Sequence, residues 1–251
     1  MMNLHDYCRG SYEFIILDTV DSTNTYAKRL AEDGARENTV IISRRQTCGR
    51  GRLGRSFCSD ADGIYMSVIL RPDTSPECVP LITTAAAVAV SAAIDEVCDK
   101  RTGIKWVNDI FLGGKKICGI LTEGSFELGT TRYAVLGIGI NLCGKIDELP
   151  EDIRDTAGFI YETQYPVEVK EKLIAKILQN FSVYYKNLTD KLFLDEYRRR
   201  SILIGKTVRC ITADNIFSAT VTGIDDNAGL MVEKEDGSIA SLSAGEVSLR
   251  L

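Results

Sequence analysis

Apolar positions in this chain fall into two periods, and their alternation lays out the fold. "YEFIILDTV" reads as a strand. "DSTNTYAKRLAEDG" then reads as a helix, capped by Asp21 or Ser22, with Tyr26, Ala27, Leu30 and Ala31 at helical spacing and Gly34 as the stop. "TVIIS" and "GIYMSVIL" are further strands, the second ended by Pro72. An alanine-rich helix follows over about Val79 to Val97, and the last helical patterns run from about Val167 to Tyr197. Beyond them "IGKTVRC" and "FSATVTGIDDNAGLMVEKEDGSIASLSAGEVSLRL" break into short strands at Asp-Asn and Asp-Gly turns, the pattern of a small β-barrel. The class is therefore α+β, a mixed β-sheet with helices plus a small C-terminal barrel, divided at 1–201 and 202–251.

The segment "GIKWVNDIFLGGKKICGILTEG" carries two runs rich in β-formers on either side of Gly113-Gly114, a dipeptide suited to a two-residue primed turn. That turn pairs Leu112 with Lys115, Phe111 with Lys116 and Asp109 with Cys118. The period of two then sets Lys105, Asp109 and Lys116 on one face. "RYAVLGIGINL" follows as another strand, whose Gly137 and Gly139 permit close approach to the backbone.

Composition narrows the chemistry. The 251 residues are 45% hydrophobic and 26% charged, as in a soluble globular protein, and the net charge of -5 argues against a general nucleic-acid surface. The longest charge-free stretch, Cys78 to Ile94, is short of the roughly 20 residues that span a membrane and reads as a buried helix. Eight cysteines without a C-x-x-C pair point to a reduced, cytoplasmic protein, and nothing at the amino terminus marks export. A single histidine, His5, excludes histidine-based triads and histidine zinc sites.

Against this acidic background "SRRQTCGRGRLGRS" gathers Arg44, Arg45, Arg50, Arg52 and Arg55 without an acid. Glycines let backbone amides turn toward an anion, and interleaved arginines add charged forks for phosphate or carboxylate. Like charges and glycines also predict a mobile loop that its ligand orders. The run is neither a Walker loop nor a Rossmann fingerprint. Taken singly, each feature has a bland reading: a solvated loop, a solvated hairpin lysine, a plain helix cap, a tightly packed strand. Four such segments near strand ends of one sheet make a shared ligand site.

"DSTN", "QTCGRGRLGRSF", "KWVNDIFLGGKKICGIL", "GIGINL" and "GEVSLR", in that order and spread over nearly the whole chain, resemble the biotin-protein ligases. The resemblance implies a sheet-and-helix catalytic domain of the class II aminoacyl-tRNA synthetase kind and an SH3-like C-terminal barrel. It implies a two-step reaction in which biotin and ATP give biotinyl-5'-AMP and pyrophosphate, with Mg2+ assisting. A lysine of a biotin carboxyl carrier domain then takes the biotin and AMP leaves. Gly49, Arg50, Gly51, Arg52, Gly54 and Arg55 match the loop that closes over biotin and adenylate, Arg50 and Arg52 with catalytic roles. Lys116 matches the essential lysine bridging the biotin carboxylate and the α-phosphate, with Gly119 nearby.

Ser22, Thr23, Asn24 and Gln46 match the group that binds the biotin head, while Lys105, Asn108, Asp109 and Asn141 match positions near nucleotide and metal, Asp109 being the candidate magnesium neighbour. Glu246 and Arg250 lie in a last strand implicated in ATP and carrier contact. Two departures stand out: Val107 replaces the proline of K-W-P-N-D, and Phe57 stands where some members carry tryptophan. Only 20 residues precede Asp21, so the resemblance implies a form without the DNA-binding domain, hence no repressor activity, no DNA or membrane partner, and a homodimer or a monomer. The rivals are a lipoate-protein ligase, a non-catalytic biotin or adenylate sensor, and, lower, a single-strand nucleic-acid binder.

Overall fold

The computed structural model describes residues 8, 10–59, 62–212, 215–243 and 245–249. Its centre is a seven-stranded sheet in the order β1-β2-β3-β7-β6-β5-β4. The strands are β1 (Glu13–Val20), β2 (Thr39–Gln46), β3 (Asp62–Leu70), β4 (Gly103–Lys105), β5 (Asp109–Leu112), β6 (Lys115–Glu127) and β7 (Thr130–Cys143). β1 and β2 run parallel because helix α1 (Thr23–Glu32) crosses between them, and the other neighbours are antiparallel.

Period-two alternation gives the sheet two different faces. On one, Ile64, Met66, Val68 and Leu70 of β3 join Ala134, Leu136, Ile138, Ile140 and Leu142 of β7. The alanine-rich helix α2 (Val79–Cys98) packs here with α3 (Val169–Lys186) and α4 (Leu194–Arg200). Alanine makes this packing close: Ala85, Ala86, Ala87, Ala89 and Ala93 are all fully buried. Contrary to the length argument from sequence, α2 belongs to a stretch, Pro76–Cys98, the one among the described residues long and apolar enough to cross a membrane; it is mostly buried inside the fold, as the buried-helix reading expected. On the opposite face Ile69, Tyr133 and Val135 pack under Ala27 and Ala31 of α1. Further along that face the same alternation delivers Ser67, Gly137 and Gly139 instead of apolar side chains. There the site forms.

The chain ends in a second sheet, antiparallel and ordered β11-β10-β9-β8-β12, from β8 (Thr207–Ile211), β9 (Ile216–Ile224), β10 (Leu230–Lys234), β11 (Ile239–Leu242) and β12 (Glu246–Leu249). The barrel expected from the turn pattern is an open five-stranded arrangement, because β11 and β12 are its two edges among the described residues. It is joined to the first sheet by core as well as by hydrogen bonds: Val208, Cys210, Val221 and Leu230 belong to the same apolar cluster as α2. Trp106 Nε1 donates to Ala228 O at 2.9 Å, and Arg198 Nε donates to Ile224 O at 3.0 Å.

The Gly113-Gly114 turn has positive φ at both residues (57° and 83°), as a primed turn requires. The predicted pairs Leu112 with Lys115 and Phe111 with Lys116 are present. Asp109, however, pairs with Gly119 rather than Cys118, since a bulge leaves Ile117 as an extra residue. The cause lies outside the hairpin. Lys116 N donates to Thr156 O (2.7 Å) and Gly158 N donates to Lys116 O (2.9 Å), so β6 answers to a second neighbour at this point.

Candidate active site

A cavity of about 380 Å³ opens on the α1 face of the sheet, in the size range of small-molecule sites. Its neutral end is built at the start of α1. Ser22 caps that helix, its side chain accepting from Thr25 N. Thr23, the first helical residue, donates from both N (2.8 Å) and Oγ1 (3.1 Å) to Gln46 Oε1, while Gln46 Nε2 donates to Ser59 Oγ at 2.9 Å. Ser67 Oγ lies 2.8 Å from Thr23 Oγ1 and 2.6 Å from Asn24 Oδ1. These groups are buried, so each must be partnered, and the partners fix which way every amide dipole points. Gly137 is the floor beneath Asn24: a Cβ there would sit 2.1 Å from Asn24 Oδ1.

The charged end comes from the arginine run and the β5–β6 hairpin. Gly49 to Phe57 fold as a tight antiparallel turn, with Gly51 N donating to Arg55 O (2.7 Å) and Phe57 N to Gly49 O (2.9 Å). This loop, expected to depend on its ligand for order, thus carries its own backbone hydrogen bonds. Arg52 donates to Asn108 Oδ1 (3.1 Å) and to Gly245 O (3.2 Å), tying the loop to the second sheet. Arg50 approaches Glu123 at 3.5 Å. Phe57 lies over Gly139 and Gly119, whose missing side chains make room for its ring. Lys116 Nζ is 2.7 Å from the buried Asp109 Oδ1, an ion pair not aligned as a hydrogen bond.

Of the residues singled out in the sequence, Ser22, Thr23, Asn24 and Gln46 line the neutral end. Arg50, Gly51, Arg52, Arg55, Lys105, Asn108, Asp109, Lys116 and Gly119 line the rest. Five cations therefore face one carboxylate. Three of the predicted residues lie outside the lining: Gly49, Asn141 and Gly54, the last at the loop tip with a φ of 76°. Gly49 is needed in the wall, where a Cβ would meet Phe57 O at 2.3 Å. Asn141 turns its amide away, donating to Gly158 O at 3.0 Å and so holding the segment that pairs with Lys116. Arg250 and the side chain of Glu246 fall outside the described residues. Sequence reasoning missed Ser67 and Glu123, whose polarity inside a strand pattern with no charged neighbour was the available signal. It also missed Ile211, Val247 and Ser248 of the second sheet, which wall the cavity.

Burial pushes the Glu123 carboxyl up, but Lys28, Asn24 and Arg50 outweigh it and hold the group below the usual carboxylate range. Burial raises the Cys118 thiol, making it a packing residue. No group of three His, Cys, Asp or Glu side chains among the described residues is placed to hold a metal ion.

Residues 16–141 match the family described as "Biotin/lipoate A/B protein ligase family", and the chain belongs to that family. Residues 203–250 match "Biotin protein ligase C terminal domain", which sets the chain among the biotin protein ligases. It is 34% identical over 242 residues to the bifunctional ligase/repressor BirA of Bacillus spizizenii, covering 94% of this chain and 73% of that one. It is 29% identical over 248 residues to the biotin–[acetyl-CoA-carboxylase] ligase of Mycobacterium tuberculosis, covering 95% and 89%. Among solved structures, the biotin protein ligase of Aquifex aeolicus in complex with biotin and ATP superposes with a TM-score of 0.75 at 29% identity, over 95% of this chain and 98% of that one.

Proposed function

We propose that this chain is a cytoplasmic, ATP-dependent biotin-protein ligase that makes biotinyl-5'-AMP and passes biotin to a lysine of a carboxyl carrier domain. The observation that carries the reading is the meeting, in one cavity, of an oriented neutral network with five cations, Lys116 among them. The ureido ring of biotin offers N–H donors and a carbonyl acceptor, which Ser22, Thr23, Asn24 and Gln46 complement. Its carboxylate then reaches toward Lys116, beside the α-phosphate of ATP. An oxygen of that carboxylate attacks the α-phosphorus, the bond to the bridging oxygen breaks, and pyrophosphate leaves with the electron pair.

Lys116 offsets the repulsion between the two anions and sets them in line. Arg50, Arg52 and Arg55 neutralise charge that grows on the phosphorus oxygens. The loop, with Phe57, screens the resulting mixed anhydride from water. In the second step the neutral amine of the acceptor lysine attacks the acyl carbon, AMP departs, and the amine loses its proton. A magnesium ion would offset charge on the phosphates; with one cavity carboxylate, Asp109, the residues fit an ion brought in on the nucleotide, not one held by the protein alone. In this reading residues 1–201 are the catalytic domain and 202–251 the small domain, with Ile211, Val247 and Ser248 at the nucleotide side.

The test is transfer of labelled biotin to a purified carboxyl carrier domain with ATP and magnesium, with and without the acceptor lysine. Label appearing only with both ATP and that lysine is the expected result. Lipoate transfer in place of biotin would select the other branch of the family, and ligand binding without AMP release would select a sensor.

A further inference from the structure

Two side chains of the cavity wall end on a carboxylate that is not itself part of the wall. Glu123, on β6 with its side chain 19% exposed, accepts from Asn24 Nδ2 at 2.9 Å through Oε2. Its Oε1 accepts from Lys28 Nζ at 2.7 Å and lies 3.5 Å from Arg50. One acidic side chain thus touches the neutral end of the cavity and the arginine loop together.

The consequence follows from counting protons on Asn24. Its Nδ2 has two, and both are taken, by Glu123 and by Leu121 O at 3.4 Å. Its Oδ1 has two lone pairs. Ser67 has one hydroxyl proton for two acceptors in reach, and the amide oxygen, which has no proton to give, takes it at 2.6 Å. One lone pair of Oδ1 remains, on an oxygen that lies against Gly137 in the cavity lining. Asn24 therefore offers a ligand an acceptor and no donor. What prevents the amide from turning over is Glu123, because the flipped amide would set its oxygen against an ionised carboxylate.

We propose that Glu123 is a positioning and specificity-determining residue: it locks the Asn24 amide so that the site selects a ligand head carrying an N–H donor. Through Arg50 it also links that head site to the arginine loop. The inference rests on the biotin-ligase reading, in which the donor is a ureido N–H.

Calorimetric binding of biotin to the full chain without ATP, together with biotin-dependent pyrophosphate exchange, tests it. Glu123→Gln keeps the shape but places an amide among Lys28, Arg50 and Asn24. We expect biotin affinity to fall about tenfold or more, and KM for biotin to rise in parallel with kcat largely retained. Acting through Asn24, the change should add nothing in the double variant: Asn24→Ala/Glu123→Gln should bind as Asn24→Ala does. Should the Gln variant not fold, Glu123→Asp, which stays charged but withdraws by one methylene, carries the same expectation. Unaltered biotin binding in a folded Glu123 variant, or additive losses in the double variant, overturns the proposal. Wild-type protein that binds no biotin overturns the ligase reading itself, and this inference with it.

Discussion

The two ends of the cavity hold their ligand-facing groups in opposite ways. At the neutral end, Ser22, Thr23, Asn24, Gln46 and Ser67 are all buried and sit at a helix start or in strands; Thr23, Asn24, Gln46 and Ser67 are already joined by side-chain hydrogen bonds, and Ser22 caps the helix through Thr25 N. At the charged end Arg50 is half exposed and Leu53, at the loop tip with φ of 54°, is exposed. The difference matches the two recognition tasks of the proposed ligase. A small uncharged head is told from its analogues by donors and acceptors whose direction is preset, since an unmatched buried group is costly. A polyphosphate is held by charge, which tolerates imprecise geometry and acts over several ångströms. In the proposed ligase, selectivity resides in rigid elements and much of the charge neutralisation in a loop, with Lys105 and Lys116 supplied from strands.

The largest expected effect that sharpens this contrast is at the junction. Lys116→Ala should lower biotin-dependent pyrophosphate exchange by roughly a hundredfold or more, as loss of a charge-stabilising group does. Its thermal midpoint should stay close to wild type, because the lysine head is partly exposed. Exchange at the wild-type rate would remove Lys116 from the chemistry. Gly137→Ala should strike only the neutral end: a Cβ 2.1 Å from Asn24 Oδ1 displaces that side chain, and biotin binding should weaken by about 1.5–3 kcal/mol with nucleotide binding retained. Equal loss of both ligands would contradict the division of labour. Arg52→Gly should slow adenylation without abolishing it, since Arg50 and Arg55 remain, and should release the adenylate several-fold faster, since it also frees the loop from Gly245 O. Trapping biotinyl-AMP in solution measures this, and unchanged release would end the clamp role.

The smallest effect lies far from the cavity. Hydrogen bonds from Arg199 outweigh the burial of Glu196 and, with Arg200, hold its carboxyl at about 2 against the ordinary 4.5. Its folded value is below the unfolded one, so its contribution to stability is complete above about pH 4.5 and disappears as pH falls toward 2. Glu196→Gln should therefore be less stable than wild type at pH 6, with the gap in melting temperature closing under acid. A constant gap would mean that shape, not charge, does the holding.

Much of this was readable from residue order because it is local. The helix cap at Asp21 or Ser22, which the structure assigns to Ser22, the alanine helix and the double-glycine turn each follow from neighbours within a few positions, and the turn alone was enough to turn Lys116 toward Asp109. What was not readable depends on distant chain. The bulge at Ile117 arises from residues 156–158, about forty positions onward. Asn141 has the same parity as Gly137 and Gly139, yet its amide is claimed by Gly158. Ser67 looks like an ordinary polar step in a strand until Asn24 is folded against it. The wall supplied by Ile211, Val247 and Ser248 needs the whole second sheet in place.

The double anchoring of Lys116 bears on how this chain can change its length over generations. Between Phe111 on one flank and Thr156 and Gly158 on the other, the lysine has no freedom to slip along the strand. An insertion or deletion within β6 would put another side chain in its place and flip its neighbours to the wrong face. The tip is different: Gly113 and Gly114 have open space around them. Natural length variation in this hairpin should accumulate at that tip, and extra sequence grafted there should be carried without disturbing Lys116.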